Sequence, residues 1–521
     1  MSHSQAFLEL VGGEPAGGCY SVEAMRLLDA RSAAVQGLTD YQLMSRAGTI
    51  AFQHLLRRWP NAERLAVFCG TGNNGGDGWV VARLAHEAGF AVDVFLLGQP
   101  DRIKGPAHQA YEDWQRVTGG FPQSAPEWVV RSEPAAPYDV LVDALMGIGF
   151  KQAPREQLGA VIEKINQSGV PVLALDVPSG LDADAGQTQD CVVRAHTTVT
   201  FIALKPGLLT GLARNTVGDL FLESLDTPRA VYDTVPPDAI CRADLDSSTL
   251  VHRRAVASHK GNYGHVLVVG GNAGMGGAAI LAAGAALRGG AGLVTLATHP
   301  DSISAALARY PELMSVSLVD PSAQLPELLA RASIVVIGPG LGRDAWARTC
   351  FDLAITSDCA QVIDADAINL LAADTPATFF TEGKTRILTP HPGEAARLAS
   401  VTAKEIEADR LGWARRLAQQ YQCTLVLKGS GTVTASADPT VTPSICIAGN
   451  SGMATGGMGD VLAGLSGALL ARSSCPFSAA EGAVIAHAVA GDRAWHEHGI
   501  GLLPSDVLEF LGSTLTPAGG D

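Results

Sequence analysis

The chain has 521 residues, a formal net charge of −15, and 47% hydrophobic against 17% charged residues. That length exceeds one core of ordinary size and predicts two domains, while the composition excludes a disordered chain. The acidic balance, with no basic run, excludes nucleic acid as the main partner.

The opening stretch MSHSQAFLELVGGEP lacks the basic and apolar regions of a signal peptide, so a cytoplasmic protein is expected. LAVFC (65–69) reads as a buried strand, followed by a Gly/Asn loop and by helical spacing over 77–89. AVDVFLL (91–97), YDVLVDAL (138–145), VPVLALDV (170–177) and TTVTFI (197–202) read as further strands, with helices near 107–118 and 155–168. Such alternation predicts a parallel sheet with helices on both faces. Residues 224–248 are polar, contain proline and lack a period, which suggests an interdomain connector. The alternation then restarts: strands at 264–271, 292–298, 333–340, 361–366, 385–390 and 424–429, with a helix over 275–288. The apolar regions 277–298 and 461–471 are interrupted by glycines and by Arg288, so they read as buried elements, not membrane spans. The nine scattered cysteines include no C-x-x-C and read as buried thiols.

Two constellations stand at strand ends, where open α/β sheets bind ligands. The first is FCGTGNNGGDG (68–78). Two asparagines, paired glycines and Asp77 exceed what a tight turn needs, and glycine lets backbone approach a phosphate. VDALMGIG and LDVPSGLD add Asp143, Asp176 and Ser179. A lone strand-end aspartate is more often a cap, yet three such ends belong to one predicted sheet. Asn74, Asp143 and Ser179 offer only oxygens, which suits a hard cation better than zinc. Asp176 is then the candidate for proton transfer.

The combination GTGNNGGDG, VDALMGIG and LDVPSGLD resembles the NAD(P)H-hydrate epimerase domain, over roughly 20–225. The resemblance implies a Rossmann-like fold, a K+ ion, and interconversion of the R and S forms of NAD(P)HX at carbon 6 of the hydrated nicotinamide. By motif, Asn73, Asn74, Gly75, Gly76 and Asp77 would contact NAD(P)HX. So would Gly147, Ile148, Gly149, Phe150, Lys151, Gln152 and Ala153. Asn74, Asp143 and Ser179 resemble the potassium ligands, and Asp176 the catalytic acid/base. Thr71 stands where a second asparagine is common.

The second constellation comprises SHKGNYGH, GPGLG, HPGEAARL, KGSGT and GNSGMATGGMGD. The last is a glycine-rich turn running into an apolar helix, a cradle for phosphate, with Asp460 placed to take a proton from a hydroxyl. Lys428 precedes its glycines, so KGSGT is not a Walker A loop. Together these motifs resemble the ribokinase-like superfamily and, more narrowly, ADP-dependent NAD(P)H-hydrate dehydratase, over roughly 249–515. That resemblance implies NAD(P)HX contacts at Gly340, His391, Pro392, Gly393, Glu394, Ala395, Ala396 and Arg397, with Asp460 as acid/base. It implies nucleotide contacts at Lys428, Gly429, Ser430, Gly431 and Thr432. It implies further ones at Asn450, Ser451, Gly452, Met453, Ala454, Thr455, Gly456, Gly457, Met458 and Gly459. ADP would be the co-substrate, with Mg2+.

The expected fold class is therefore α/β in two domains. An N-terminal Rossmann-like three-layer sandwich would span 1–240 and a C-terminal ribokinase-like α/β domain 241–521. The expected chain is a bifunctional repair enzyme that takes NADHX or NADPHX and ADP, binds neither nucleic acid nor membrane, and forms a homo-oligomer. Two alternatives remain at this point. One is a small-molecule kinase fused to a ligand-binding domain. The other is a first domain that serves only as a scaffold.

Overall fold

A computed structural model of the chain describes residues 8–11, 17–130, 138–149, 156–187, 191–245, 257–380 and 383–516. Contacts divide the chain between Ile240 and Cys241 into two units. Among the described residues, no helix is long and apolar enough to cross a membrane.

Among the described residues, one sheet of the first unit has eight strands: β1 (Leu8–Val11), β2 (Arg64–Cys69), β3 (Ala91–Leu96), β4 (Gln123–Ser124), β5 (Val140–Ala144), β6 (Val172–Leu175), β7 (Thr197–Phe201) and β8 (Asp219–Glu223). All pair in parallel, in the order β1-β8-β7-β6-β5-β2-β3-β4. Along β2, Leu65, Val67 and Cys69 enter one core while Ala66 and Phe68 enter another, because successive strand side chains point to opposite faces. Helices α1 (Val22–Gln36), α2 (Asp40–Arg58), α3 (Asn73–Glu87) and α4 (Gly105–Thr118) supply the first core, and α5 (Glu156–Gln167) the second. Strands covered on both faces read as unbroken apolar runs, which is why the sequence shows them.

The strand order reverses beside β2, which has β3 on one side and β5 on the other. Loops leaving such neighbours diverge and open a crevice beyond the strands' carboxyl ends. The two loops here are the glycine-rich stretches after Cys69 and Ala144.

The second unit runs β9 (His265–Val269), β10 (Leu293–Thr298), β11 (Met314–Ser317), β12 (Ile334–Ile337), β13 (Ala360–Ile363), β14 (Arg386–Leu388), β15 (Thr424–Leu427), β16 (Thr432–Ala435) and β17 (Ser444–Cys446). Their order is β11-β10-β9-β12-β13-β14-β15-β16-β17, parallel as far as β15 and antiparallel thereafter. The helices of this unit include α6 (Gly276–Arg288), α7 (Ala365–Ala373), α8 (Pro392–Ala399), α9 (Arg410–Gln420), α10 (Met458–Leu470) and α11 (Pro476–His498). Small residues let α10 sit close. A Cβ on Gly464 would lie 1.9 Å from the Ala282 carbonyl oxygen of α6, and one on Gly467 2.5 Å from Val336.

Several expectations change. Helix α3 begins at Asn73, not 77, so the Asn/Gly motif forms the helix's first turn, with Gly72 as N-cap. Glycines in the motif disguise the turn, since they are poor helix formers. The strand expected over 361–366 ends at Ile363, and Asp364 caps α7 instead. The stretch 224–248 holds a short helix at Arg229–Tyr232 and a strand at Ala239–Arg242, whose Ala239 and Ile240 pair with Cys19 and Gly18. Strands β1, β4, β8, β11, β16 and β17 are not expected from the sequence: they are short or polar, and acquire pairing only from neighbours. Six of the nine cysteines are buried.

Candidate active sites

A cavity of about 710 Å³ opens at the reversal point of the first sheet. Asn73, Asn74, Gly75 and Asp77 line it from the start of α3, Gly147, Ile148 and Gly149 from the loop after β5, and Asp176 from the end of β6. Gly76 faces away and packs on Met44 and Ala107. Phe150, Lys151, Gln152 and Ala153 lie outside the described residues.

Beside the cavity, oxygens converge where α3, β5 and the turn after β6 meet. Asp143 is fully buried and Ser179 is 1% exposed. The Ser179 hydroxyl donates to Asp143 Oδ1 at 2.6 Å, and its backbone N–H to Oδ2 at 2.8 Å. Asn74 Nδ2 donates to the Met146 carbonyl at 2.8 Å, while Asn74 Oδ1 is buried with no hydrogen-bond partner among the described residues. Burial pushes the Asp143 carboxyl up to about 6 despite the bonds from Ser179 and Leu145. The three oxygen-bearing residues read from the sequence are thus together.

Asp176 adopts a left-handed backbone, φ 61°, a conformation that costs most residues about 1–2 kcal/mol and aspartate less. Lys205 Nζ donates to Asp176 Oδ1 at 2.6 Å. Asp29 of α1 shares the cavity. Burial first, then Asp176 and Asp40, push its carboxyl up to about 6 against the pull of Lys205. Asp77 is raised well above the usual range by burial, Asp176 and Asp29. Sequence reasoning missed Lys205 and Asp29. A lysine shortly after the buried strand TTVTF, in FIALKPG, was the available signal.

In the second unit the motifs meet at the carboxyl ends of the parallel strands. Lys428, after β15, donates to Asp364 Oδ1 at 2.6 Å, and its Nζ lies 3.9 Å from Glu394 Oε2. Thr389 Oγ1 also donates to Asp364 Oδ1, at 2.7 Å. A Cβ on Gly459 would lie 3.2 Å from Lys428 Nζ, so the ammonium sits beside the first turn of α10, which carries Asp460. Burial works against the charge on Lys428, but Asp364, Glu394 and Asp460 together hold its pKa above the ordinary value. Burial, then Asp364, pushes Asp460 up to about 7. Glu394 rises to about 7, mainly through burial.

Around this cluster the loops are built for close approach. His391 caps α8: its ring accepts from the Gly393 N–H, and Glu394 Oε2 accepts from the His391 N–H at 2.8 Å. Pro392 occupies the helix's first turn. Arg397 is exposed and donates to Asn369. Ala395 and Ala396 instead face the core. Gly340 has φ 58°, and a Cβ there would lie 2.5 Å from the Met275 carbonyl oxygen. The KGSGT turn needs Gly429 (φ 139°) and Gly431 (φ 66°), with Ser430 between them and Thr432 Oγ1 donating to the Gly429 carbonyl. Buried Arg410 donates to the Leu427 and Lys428 carbonyls from behind.

The 450–459 stretch begins with Asn450, whose Nδ2 donates to Asp492 Oδ1 and the Gly491 carbonyl of α11. Ser451–Met453 form a short turn of helix. Gly452 lies against Trp495 and Met453 against Gly491. Ala454, Thr455 and Gly456 are exposed. Gly457 is left-handed, φ 99°, and Met458 points into the core, just before Gly459 and Asp460. Exposed backbone at a helix N-terminus is a place for phosphate. Sequence reasoning missed Asp364, Asp366 and Asp492. Asp366 accepts from the Gly342 N–H and so ties α7 to the GPGLG turn.

Two family models match the chain. One, described as NAD(P)H-hydrate dehydratase, covers residues 266–512, and the other, described as YjeF-related protein N-terminus, covers 40–207. A bifunctional NAD(P)H-hydrate repair enzyme of Coxiella burnetii is 42% identical over 94% of this chain and 97% of its own. That of Escherichia coli K12 is 41% identical over 94% of this chain and 92% of its own. A solved ADP/ATP-dependent NAD(P)H-hydrate dehydratase of Bacillus subtilis, co-crystallised with ATP and Mg2+, is 31% identical with a TM-score of 0.45, over 51% of this chain and 95% of that one. The chain belongs to the family of bifunctional NAD(P)H-hydrate repair enzymes, with an epimerase domain followed by a dehydratase domain.

Proposed function

We propose that Asp176 is the acid/base of the epimerase and Asp460 that of an ADP-dependent dehydratase. In the first cavity Asp176 takes the proton of the C6 hydroxyl as the C6–N1 bond opens. The bond pair goes to N1, and the proton is returned there. Closure on the other face of the resulting aldehyde reverses each transfer and gives the other epimer. Asn73, Asn74, Gly75, Asp77 and Gly147–Gly149 line the space the substrate fills.

The oxygens of Asn74, Asp143 and Ser179 suit K+: among the described residues Asn74 Oδ1 is buried without a hydrogen-bond partner, and the Asp143 carboxyl is fully buried. Bound there, K+ would supply charge that keeps Asp143 ionised and fixes the loop after β5. Mg2+ suits a different arrangement. Among the described residues no group of three or more His, Cys, Asp or Glu is arranged to hold a metal. The ion would therefore come on the nucleotide phosphates, with Glu394 and Asp460 the nearby carboxylates.

In the second site the chemistry begins as a kinase's would. Hydroxide is a poor leaving group. Asp460 takes the C6 hydroxyl proton as that oxygen attacks the β-phosphorus of ADP, releasing AMP. The N1 lone pair then expels phosphate, and loss of a C5 proton completes NAD(P)H. The backbone from Ala454 to Gly459 would meet the phosphate charge as it shifts. Lys428–Thr432 would wall the nucleotide, and Gly340, His391–Glu394 and Arg397 the NAD(P)HX.

The observation that carries this reading is the convergence of Asp364, Glu394, Lys428 and Asp460 beside the glycine-rich start of α10. The test is recovery of NADH absorbance from an R/S NADHX mixture with Mg2+, run separately with ADP and ATP. Recovery faster with ADP supports the reading, and recovery with ATP alone overturns the choice of nucleotide. A stable phosphorylated product would overturn the elimination step.

A further inference from the structure

The ammonium of Lys205 is buried, with 1% of the residue exposed, although the residue lines the epimerase cavity. A protonated lysine has three N–H donors and no acceptor. Here all three are engaged: Asp176 Oδ1 at 2.6 Å, Thr200 Oγ1 at 2.9 Å and the Phe201 carbonyl at 2.9 Å. No donor is left for a substrate. The partners also concentrate on one atom. Thr200 Oγ1 donates to Asp176 Oδ1 at 3.2 Å, and the Phe201 N–H reaches the same oxygen at 3.4 Å. Among the described residues, Asp176 Oδ2 accepts no hydrogen bond. The carboxylate is thus held by one oxygen and left open at the other, on a left-handed backbone anchored by its N–H to the Val199 carbonyl at 2.8 Å.

We infer that Lys205 is a positioning residue of the epimerase: its saturated ammonium locks Asp176 Oδ1 so that Oδ2 alone faces the C6 hydroxyl. The inference rests on Asp176 being the acid/base. A lysine that bound the substrate's pyrophosphate would keep free donors and solvent access, and this one has neither. A lysine that served packing alone would have no reason to converge with Thr200 and Phe201 on one oxygen. Asp29 and Asp77, which interact with Asp176 through charge, are both acids. Lys205 is the cation hydrogen-bonded to this carboxylate.

The test is a double-mutant cycle on the full chain, with R-NADHX as substrate and the spontaneous rate subtracted. Lys205→Met lowers the epimerase kcat about 100-fold, the low end of what a positioned acid/base contributes, with KM changed less than about threefold. Added to Asp176→Asn, it costs nothing further, because its only route to the chemistry is gone. Lys205→Arg, which keeps a cation at Oδ1, retains more than Lys205→Met. Losses that multiply in the double variant overturn the inference, as does a raised KM with kcat kept. If Lys205→Met unfolds, as a lost buried charge partner can cause, the charge-balanced double variant and Lys205→Arg decide. A double variant slower than Asp176→Asn, or no activity in folded Lys205→Arg, overturns it. Asp176→Asn at the parental rate would instead sink the reading of Asp176 itself.

Discussion

The two sites use the same device, a lysine 2.6 Å from an aspartate at the mouth of a parallel sheet, buried in the first and half-buried in the second, in opposite ways. In the epimerase unit the ammonium sits on the proposed acid/base, Asp176. In the dehydratase unit it sits on a neighbour, Asp364, and the proposed base, Asp460, is pushed up to about 7 by burial first and then by the nearby carboxylates. Where the cation is placed decides what the aspartate can do. A carboxylate tied through one oxygen is oriented for a reversible proton transfer. A carboxylate with a raised pKa is a stronger base for a hydroxyl that must attack phosphorus.

The largest break in this comparison should come from Asp460→Asn, which removes the base and keeps the shape. NADH recovery from S-NADHX with ADP and Mg2+ should fall about 1,000-fold, while epimerisation of R-NADHX holds its rate. Equal loss of both activities would mean a general effect and end the assignment. Asp176→Asn is the mirror experiment, with about a 100-fold or greater loss confined to the epimerase. Retained R-to-S conversion by polarimetric or chromatographic assay would count against it.

Asp364→Asn sharpens the contrast. It leaves the half-buried Lys428 without its closest anion, so stability should drop by about 2 kcal/mol in a denaturant titration. An unchanged midpoint would show that Glu394 and Asp460 can replace Asp364 as partners.

Acidity gives a smaller, graded effect. Asp460 must be ionised to act, so the dehydratase rate should rise with pH through about 7. The stability linkage runs the other way. Asp460 and Glu394 have folded-state pKa values raised above their unfolded ones, so the stability they contribute is present in acid and lost as pH climbs from about 4 to about 7. A dehydratase profile flat between pH 6 and pH 8, about 7 being the value tested, would remove the raised aspartate from the mechanism.

The smallest effect tests the scaffold. Gly464→Ala would press a methyl into the Ala282 carbonyl, costing about 1–3 kcal/mol of stability with little change in KM. A neutral melting curve would mean that α6 and α10 can move apart.

Much of both sites was legible because glycines, asparagines and strand-end aspartates are placed by local chemistry. Asn74, Asp143 and Ser179 were read as one oxygen set from three separate strand ends, and they do meet. Lys205 and Asp364 escaped notice for a shared reason. Each lies next to an apolar run, in FIALKPG and QVIDAD, where a charge reads as the end of a strand or part of one. Its meaning depends on a partner 29 residues away for Lys205 and 64 for Asp364.

The sequence by itself determined the α/β alternation, the glycine-rich turns and the resemblance to a two-activity repair enzyme. Apolar periodicity and backbone-permissive residues act locally, so a linear reading recovers them. Only the tertiary structure decided which oxygen of Asp176 is held, that Lys428 is committed to Asp364, and that Ala395 and Ala396 turn to the core. Electrostatic partnership and burial are set by distances in space, and in water none of these charges would have needed its partner.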